Sequence, residues 1–137
     1  MYFDRASPTR MIAVLRALLV ERDPGLRALM RTVLEGEGIE CVEAEDGIEA
    51  LMFASEGGID LIIADLDLPR LGGLSLLALI SQGAFGANPP PTIVCSTHLD
   101  DEQYAHRPEL AFAVARIAKP FRADQLIEAI ASAFPEP

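Results

Sequence analysis

The stretch DLIIADLDLPRLGG fills residues 60–73, and the order of residue types in it points to one kind of fold. An apolar run closes on a carboxylate, Asp65. A second carboxylate, Asp67, follows two places on, and Leu68 and Pro69 then carry the chain to Gly72 and Gly73. Taken back to Ile59, the run IDLIIAD is almost continuously apolar, the pattern of a strand covered on both faces. Such a strand needs helices above and below it, and the flanking sequence supplies them.

Upstream, ALLVE (17–21) is a short apolar strand. From Leu26 the apolar residues Leu26, Leu29, Met30, Val33 and Leu34 recur at helical spacing, so a helix follows, with Asp23 as its N-cap, Pro24 in its first position and Gly36 or Gly38 at its end. IECVEA (39–44) is a second strand, and DGIEALMFASE (46–56) a second helix capped by Asp46 and closed by Gly57 and Gly58. Downstream come a short helix, LSLLALIS (74–81), a Pro-rich connection, and a fourth strand, TIVCST (92–97). VARIA (114–118) is the fifth strand, and ADQLIEAIASAF (123–134) a last helix with Leu126, Ile127, Ile130 and Phe134 on one face. Residues 99–113 resist assignment, because Pro108 interrupts any helix there.

Five strand–helix pairs with short connections require right-handed crossovers. The expected fold is therefore α/β, a doubly wound five-stranded parallel sheet with helices on both faces. In such sheets the chemistry collects at the carboxyl ends of the strands.

Composition narrows the field. A chain of 137 residues, half of them hydrophobic, suits one domain: residues 1–14 read as an N-terminal extension and 15–137 as the domain. A net charge of −10 argues against nucleic acid or an anionic membrane as a direct partner. MIAVLRALLV (11–20) is interrupted by Arg16 and is about half of the roughly 20 residues a membrane span needs. The first ten residues lack the layout of a secretory signal, so the expected location is cytoplasmic. Cys41 and Cys95 lie in apolar strands far apart in sequence and read as small core residues, and His98 and His106 form no metal-ligand spacing with them.

At the strand ends stand Glu21, Arg22 and Asp23 after the first, Asp65 and Asp67 after the third, Ser96 and Thr97 after the fourth, and Lys119 and Pro120 after the fifth. Together they make a pocket of carboxylates, a hydroxyl and an ammonium. Lys119 is the one lysine in a chain with ten arginines, a compact three-donor point charge that suits a phosphate or carboxylate oxygen.

The segments LLVERDP, DLIIADLDLPRLGG, TIVCST and ARIAKPF, in this order and spacing, resemble the receiver domain of bacterial two-component response regulators over about residues 15–134. The resemblance implies a (βα)5 flavodoxin-like receiver fold and a phosphorelay module rather than an enzyme. Asp65 would accept a phosphoryl group from a sensor histidine kinase or phosphotransferase, Lys119 would pair with the acyl phosphate, and Ser96 would donate to it. The Lys119–Pro120 peptide would be cis. Mg²⁺ would be held by Glu21, Asp65 and the Asp67 backbone carbonyl. The output would be a downstream protein bound through about 99–134, since no effector domain fits in the remaining residues.

Three positions depart from the family pattern. Arg22 stands where the family has a second, metal-binding acid, because Asp23 falls on the helix cap. Arg116 replaces the usual Tyr or Phe, and Thr97 a smaller Ala or Gly. One reading of Arg22 places its guanidinium at the metal position, paired with Asp65 or Glu21, which makes the chain a non-phosphorylatable binding module with a built-in cation. The other turns Arg22 to solvent and leaves a weakly bound Mg²⁺. A remote alternative is a haloacid-dehalogenase-type phosphatase, from the Asp-x-Asp of DLDLP. Gly72 and Gly73 read as turn-permitting residues, and Glu35, Glu37, Glu40, Glu43 and Glu45 as solvated charge around an edge strand.

Overall fold

The structure is a computed structural model and describes residues 14–135. Of the expected extension, 1–13 lie outside the described residues. The chain alternates β1 (Arg16–Val20), α1 (Pro24–Gly36), β2 (Glu40–Ala44), α2 (Gly47–Ala54), β3 (Leu61–Asp65), α3 (Gly73–Ser81), β4 (Thr92–Ser96), α4 (Glu102–Ala105), β5 (Ala115–Ala118) and α5 (Ala123–Ala133). All neighbouring strands pair in parallel, in the order β2-β1-β3-β4-β5. Strand order therefore reverses about β1, which has β2 on one side and β3 on the other.

Period-two alternation divides the strand side chains between two apolar layers. Ala17, Leu19, Leu61, Ile63, Ile93, Cys95 and Ile117 face α1 and α5, against Met30, Leu34, Leu126 and Ile130. Leu18, Val20, Ile62 and Ala64 face α2 and α3, against Ala50, Leu76 and Ile80. β3 and β4 are buried along their whole length, which is why their sequences show no polar alternation. Both cysteines are free and buried, and burial pushes their thiols up, Cys41 to about 11 and Cys95 to about 12.

The caps form as their chemistry demands. Asp23 Oδ1 accepts from the amides of Gly25 and Leu26 at 2.9 and 3.4 Å, and Asp46 Oδ1 accepts from Glu49 N at 2.8 Å. Pro108 does break the β4–β5 connection. α4 has only four residues, and a 3₁₀ turn follows over Pro108–Phe112.

Two expectations need correction. Gly72 and Gly73 are not the left-handed residues after Pro69: that conformation belongs to Arg70 (φ 66°), whose guanidinium reaches back to Asp46 at 2.9 Å. Gly73 is required by close packing instead, since a Cβ there would lie 2.5 Å from the Asp65 carbonyl oxygen and from Leu66 Cα. Glu43 is not solvated surface charge. It accepts from Arg27 Nε at 2.8 Å and from Arg31, which lie at i and i+4 on the face of α1 toward β2.

The two glycines separate in a substitution test. Gly73→Ala forces main chain apart behind Asp65 and is expected to cost about 1–3 kcal/mol. Gly72→Ala has open space around its Cβ and φ −69°, so it should change stability by no more than about 1 kcal/mol. Urea unfolding of both variants reads the difference, and equal losses would contradict the packing argument.

Candidate functional site

The site lies where strand order reverses, at the carboxyl ends of β1 and β3. Glu21 follows β1 and Asp65 ends β3, and they are 2% and 6% exposed. Two like charges buried this close need a cation. Lys119, just beyond β5, supplies it across two strands: its Nζ donates to Glu21 Oε1 at 2.5 Å and to Asp65 Oδ2 at 2.9 Å. The remaining oxygens take main-chain amides, Glu21 Oε2 from Asp23 N at 3.0 Å and Asp65 Oδ1 from Asp67 N at 3.1 Å. Every oxygen of both carboxylates thus has a donor. Burial alone would lower the Lys119 pKa, but the hydrogen bonds to Glu21 and Asp65 outweigh it and hold the ammonium above its ordinary value.

Ser96 is buried at the end of β4, beside this cluster in the sheet. Its Oγ accepts from His98 N at 2.8 Å, and its carbonyl accepts from Lys119 N at 2.9 Å. The Lys119–Pro120 peptide is cis, as the resemblance implied. Thr97 is exposed at the rim. Arg116 is exposed on β5, and its Nη2 donates to the Leu110 carbonyl at 3.2 Å, tying β5 to the 3₁₀ turn.

Arg22 does not pair with Asp65 or Glu21, contrary to one of the two readings of its sequence position. Its Nη2 stands 3.8 Å from Asp67 Oδ2, and both side chains are more than half exposed. The reason is local. Glu21 and Arg22 are successive residues where the chain leaves a strand, so when one points inward the other points out. The Asp23 amide folded onto Glu21 Oε2 fixes which is which. The cation between the buried carboxylates is Lys119, and Arg22 bridges the β1–α1 and β3–α3 loops across the mouth.

Sequence reasoning missed Arg27 and His98. Arg27 Nη1 donates to the Glu21 carbonyl at 2.7 Å while its Nε holds Glu43, so the helix that Asp23 caps is anchored to the strand end bearing Glu21. The signal was present in the i, i+4 arginines of α1. His98 contributes a backbone amide, which no side-chain pattern announces.

A family profile described as the response regulator receiver domain matches residues 17–131. The chain belongs to that family. Receiver domains of this kind act in two-component signalling. This one is 30% identical to the chemotaxis protein CheY of Halobacterium salinarum, over 84% of this chain and 92% of that protein. Among solved structures, the signal receiver domain of a LuxO repressor protein from Vibrio parahaemolyticus is 28% identical with a TM-score of 0.77, covering 88% of this chain and 90% of that one. The receiver domain of a Pseudomonas aeruginosa sensor histidine kinase, which has a magnesium ion coordinated in its active-site cleft, is 26% identical with a TM-score of 0.76, over 87% and 96%. The receiver spans only 13% and 18% of the length of other curated relatives that it matches, a sensor kinase/phosphatase and two transcriptional regulatory proteins. No helix among the described residues is long and apolar enough to cross a membrane.

Receiver domains generally bind Mg²⁺ at the acidic pocket. Among the described residues no three His, Cys, Asp or Glu side chains gather as a metal-holding group. The two buried carboxylates of Glu21 and Asp65 remain. Mg²⁺ keeps several waters and is commonly held by one or two carboxylates, so two carboxylates are of the chemistry the ion takes.

The Glu43 anchor behind the site gives a pH-dependent stability. Burial pushes the Glu43 carboxyl up, but the hydrogen bonds from Arg27 and Arg31 outweigh it and hold it below the usual glutamate value. A depressed folded pKa contributes stability above the unfolded value of about 4.3, which is lost as pH falls through the folded value. Urea unfolding should show Glu43→Gln less stable than wild type by about 1 kcal/mol at pH 7, with the gap closing at acidic pH. A gap that widens in acid would contradict the ion-pair assignment.

Proposed function

We propose that this receiver accepts a phosphoryl group on Asp65 and signals by changing which protein it binds. The single observation that carries this reading is the Lys119 ammonium lying between the buried carboxylates of Glu21 and Asp65. A phosphoryl group can join an anionic carboxylate only where positive charge offsets its oxygens.

In the proposed reaction the P–N bond of a phosphohistidine donor breaks. Its electron pair stays on the imidazole nitrogen, which takes a proton, and a P–O bond forms to an Asp65 carboxylate oxygen. Lys119 keeps one hydrogen bond to Glu21 and turns the rest of its charge to the incoming phosphoryl oxygens. The Ser96 hydroxyl, now accepting from His98 N, rotates its own proton toward the phosphoryl group. Glu21, Asp65 and the Asp67 carbonyl are the proposed Mg²⁺ ligands; a bound Mg²⁺ supplies Lewis-acid charge to the transferring group. Such a site makes and loses its own acyl phosphate but turns over no separate substrate.

The kinase or phosphotransferase is the proposed donor, and a downstream protein the proposed target, through the face of about 99–134. Arg116 bears on that face. Its hydrogen bond to the Leu110 carbonyl links β5 to the 3₁₀ turn, so a shift of Ser96 and β5 is passed on by a polar tether rather than an aromatic ring.

Incubation with phosphoramidate and Mg²⁺, followed by intact-mass measurement and borohydride trapping, tests the assignment. The expected result is one phosphoryl group, mapped to Asp65 and absent from Asp65→Asn. Lys119→Ala should lower the rate by about tenfold or more, the effect of losing one charged hydrogen bond. Label that persists in Asp65→Asn would move the acceptor elsewhere.

A further inference from the structure

Arg22 and Asp67 form the rim of the site, and the proposed function leaves their side chains without a role. The Asp67 amide donates to Asp65 Oδ1 and the Asp23 amide to Glu21 Oε2. Arg22 and Asp67 therefore ride on the two loops that wrap the buried carboxylates. Their guanidinium and carboxylate meet across the mouth between those loops.

The contact is made to be released. At 3.8 Å, with the side chains 56% and 57% exposed, it is a solvent-screened pair rather than a fork-to-fork bridge. The interior is different. There Lys119 serves two carboxylates at once, so the pocket is already one positive charge short before any phosphoryl group arrives. A phosphoryl group on Asp65 would add further negative charge next to the Asp67 loop, whose carboxylate holds Arg22. A guanidinium binds phosphate oxygens with two parallel donors, which it cannot do with Asp67 in the present geometry.

We propose that Arg22 is a phosphoryl-binding residue: it leaves Asp67 for the phosphoryl oxygens on Asp65 and so reduces the Mg²⁺ needed to hold them. The inference rests on the reading of Asp65 as phosphoacceptor and assigns a mobile cation to that site. Asp67 then has two roles carried by different atoms. Its carbonyl belongs to the metal set, and its carboxylate parks Arg22 while the site is empty of phosphoryl.

The 137-residue chain and its Arg22→Ala, Arg22→Asp and Asp67→Asn variants are titrated with Mg²⁺ in the presence of beryllofluoride, followed by fluorine NMR, and with Mg²⁺ alone by calorimetry. Both positions are exposed, so the variants should keep the fold, which circular dichroism checks. Wild type is expected to bind beryllofluoride at about tenfold lower Mg²⁺ than Arg22→Ala, the scale of one charge contact at a partly shielded site. Asp67→Asn, with Arg22 unparked, should bind it at lower Mg²⁺ still. Arg22→Asp should bind Mg²⁺ alone more tightly than wild type and should take beryllofluoride only with the metal. Identical Mg²⁺ dependence in wild type and Arg22→Ala overturns the inference while Asp65 stands as the acceptor. No beryllofluoride on wild type or Arg22→Asp at saturating Mg²⁺ overturns the phosphoacceptor reading itself, and the inference with it.

Discussion

One ammonium holds the functional end of this protein together. Lys119 Nζ lies within hydrogen-bond reach of both Glu21 and Asp65, two carboxylates that are almost fully buried. Buried side by side, two carboxylates need a cation between them. The arrangement depends on sheet order: β1 and β3 are neighbours, and β5 lies two strands beyond β3, so a long unbranched side chain is needed to span the gap. The chain uses arginine everywhere else and lysine here. A slender point charge with three rotatable donors can serve two acceptors on different strands at once.

Around that contact the main chain carries much of the positioning. The amides of Asp23 and Asp67 take the carboxylate oxygens that Lys119 leaves, and Gly73 lets α3 begin directly behind the Asp65 carbonyl. Arg27 connects the Glu21 carbonyl to Glu43 of β2, so the loop after β1 is tied to the edge strand as well as to its own helix. No buried side-chain nitrogen or oxygen among the described residues lacks a partner. In a low-dielectric interior such complete pairing is what lets a charged cluster persist.

The acids, the hydroxyl and the lysine at the strand ends meet at one edge of the sheet. The rim and the β4–β5 connection carry the residues that depart from the expected pattern. Arg22 puts a positive charge where an acid was expected, α4 is a single turn, and Arg116 makes a polar link from β5 to the 3₁₀ turn that precedes it. Arg22 and Arg116 are exposed, so both changes put positive charge on the surface.

The fold was legible in the sequence because its signals are local. The continuous apolar run before Asp65, the helical spacing from Leu26, and the caps at Asp23 and Asp46 each depend on a few neighbouring residues, and five such units leave little choice of topology. Asp65, Glu21, Ser96 and Lys119 were legible as strand-end residues for the same reason. Side-chain pairing was not. Whether Arg22 meets Asp65 or Asp67, whether Glu43 is solvated or clasped by Arg27 and Arg31, and whether Gly73 serves a turn or a close approach depend on residues distant along the chain. By itself the sequence determined the strands, the helices and which chemical groups stand at the sheet's edge. Only the tertiary structure decided which charge faces which, because a Coulomb contact depends on separation and shielding in space, and neither is written in residue order.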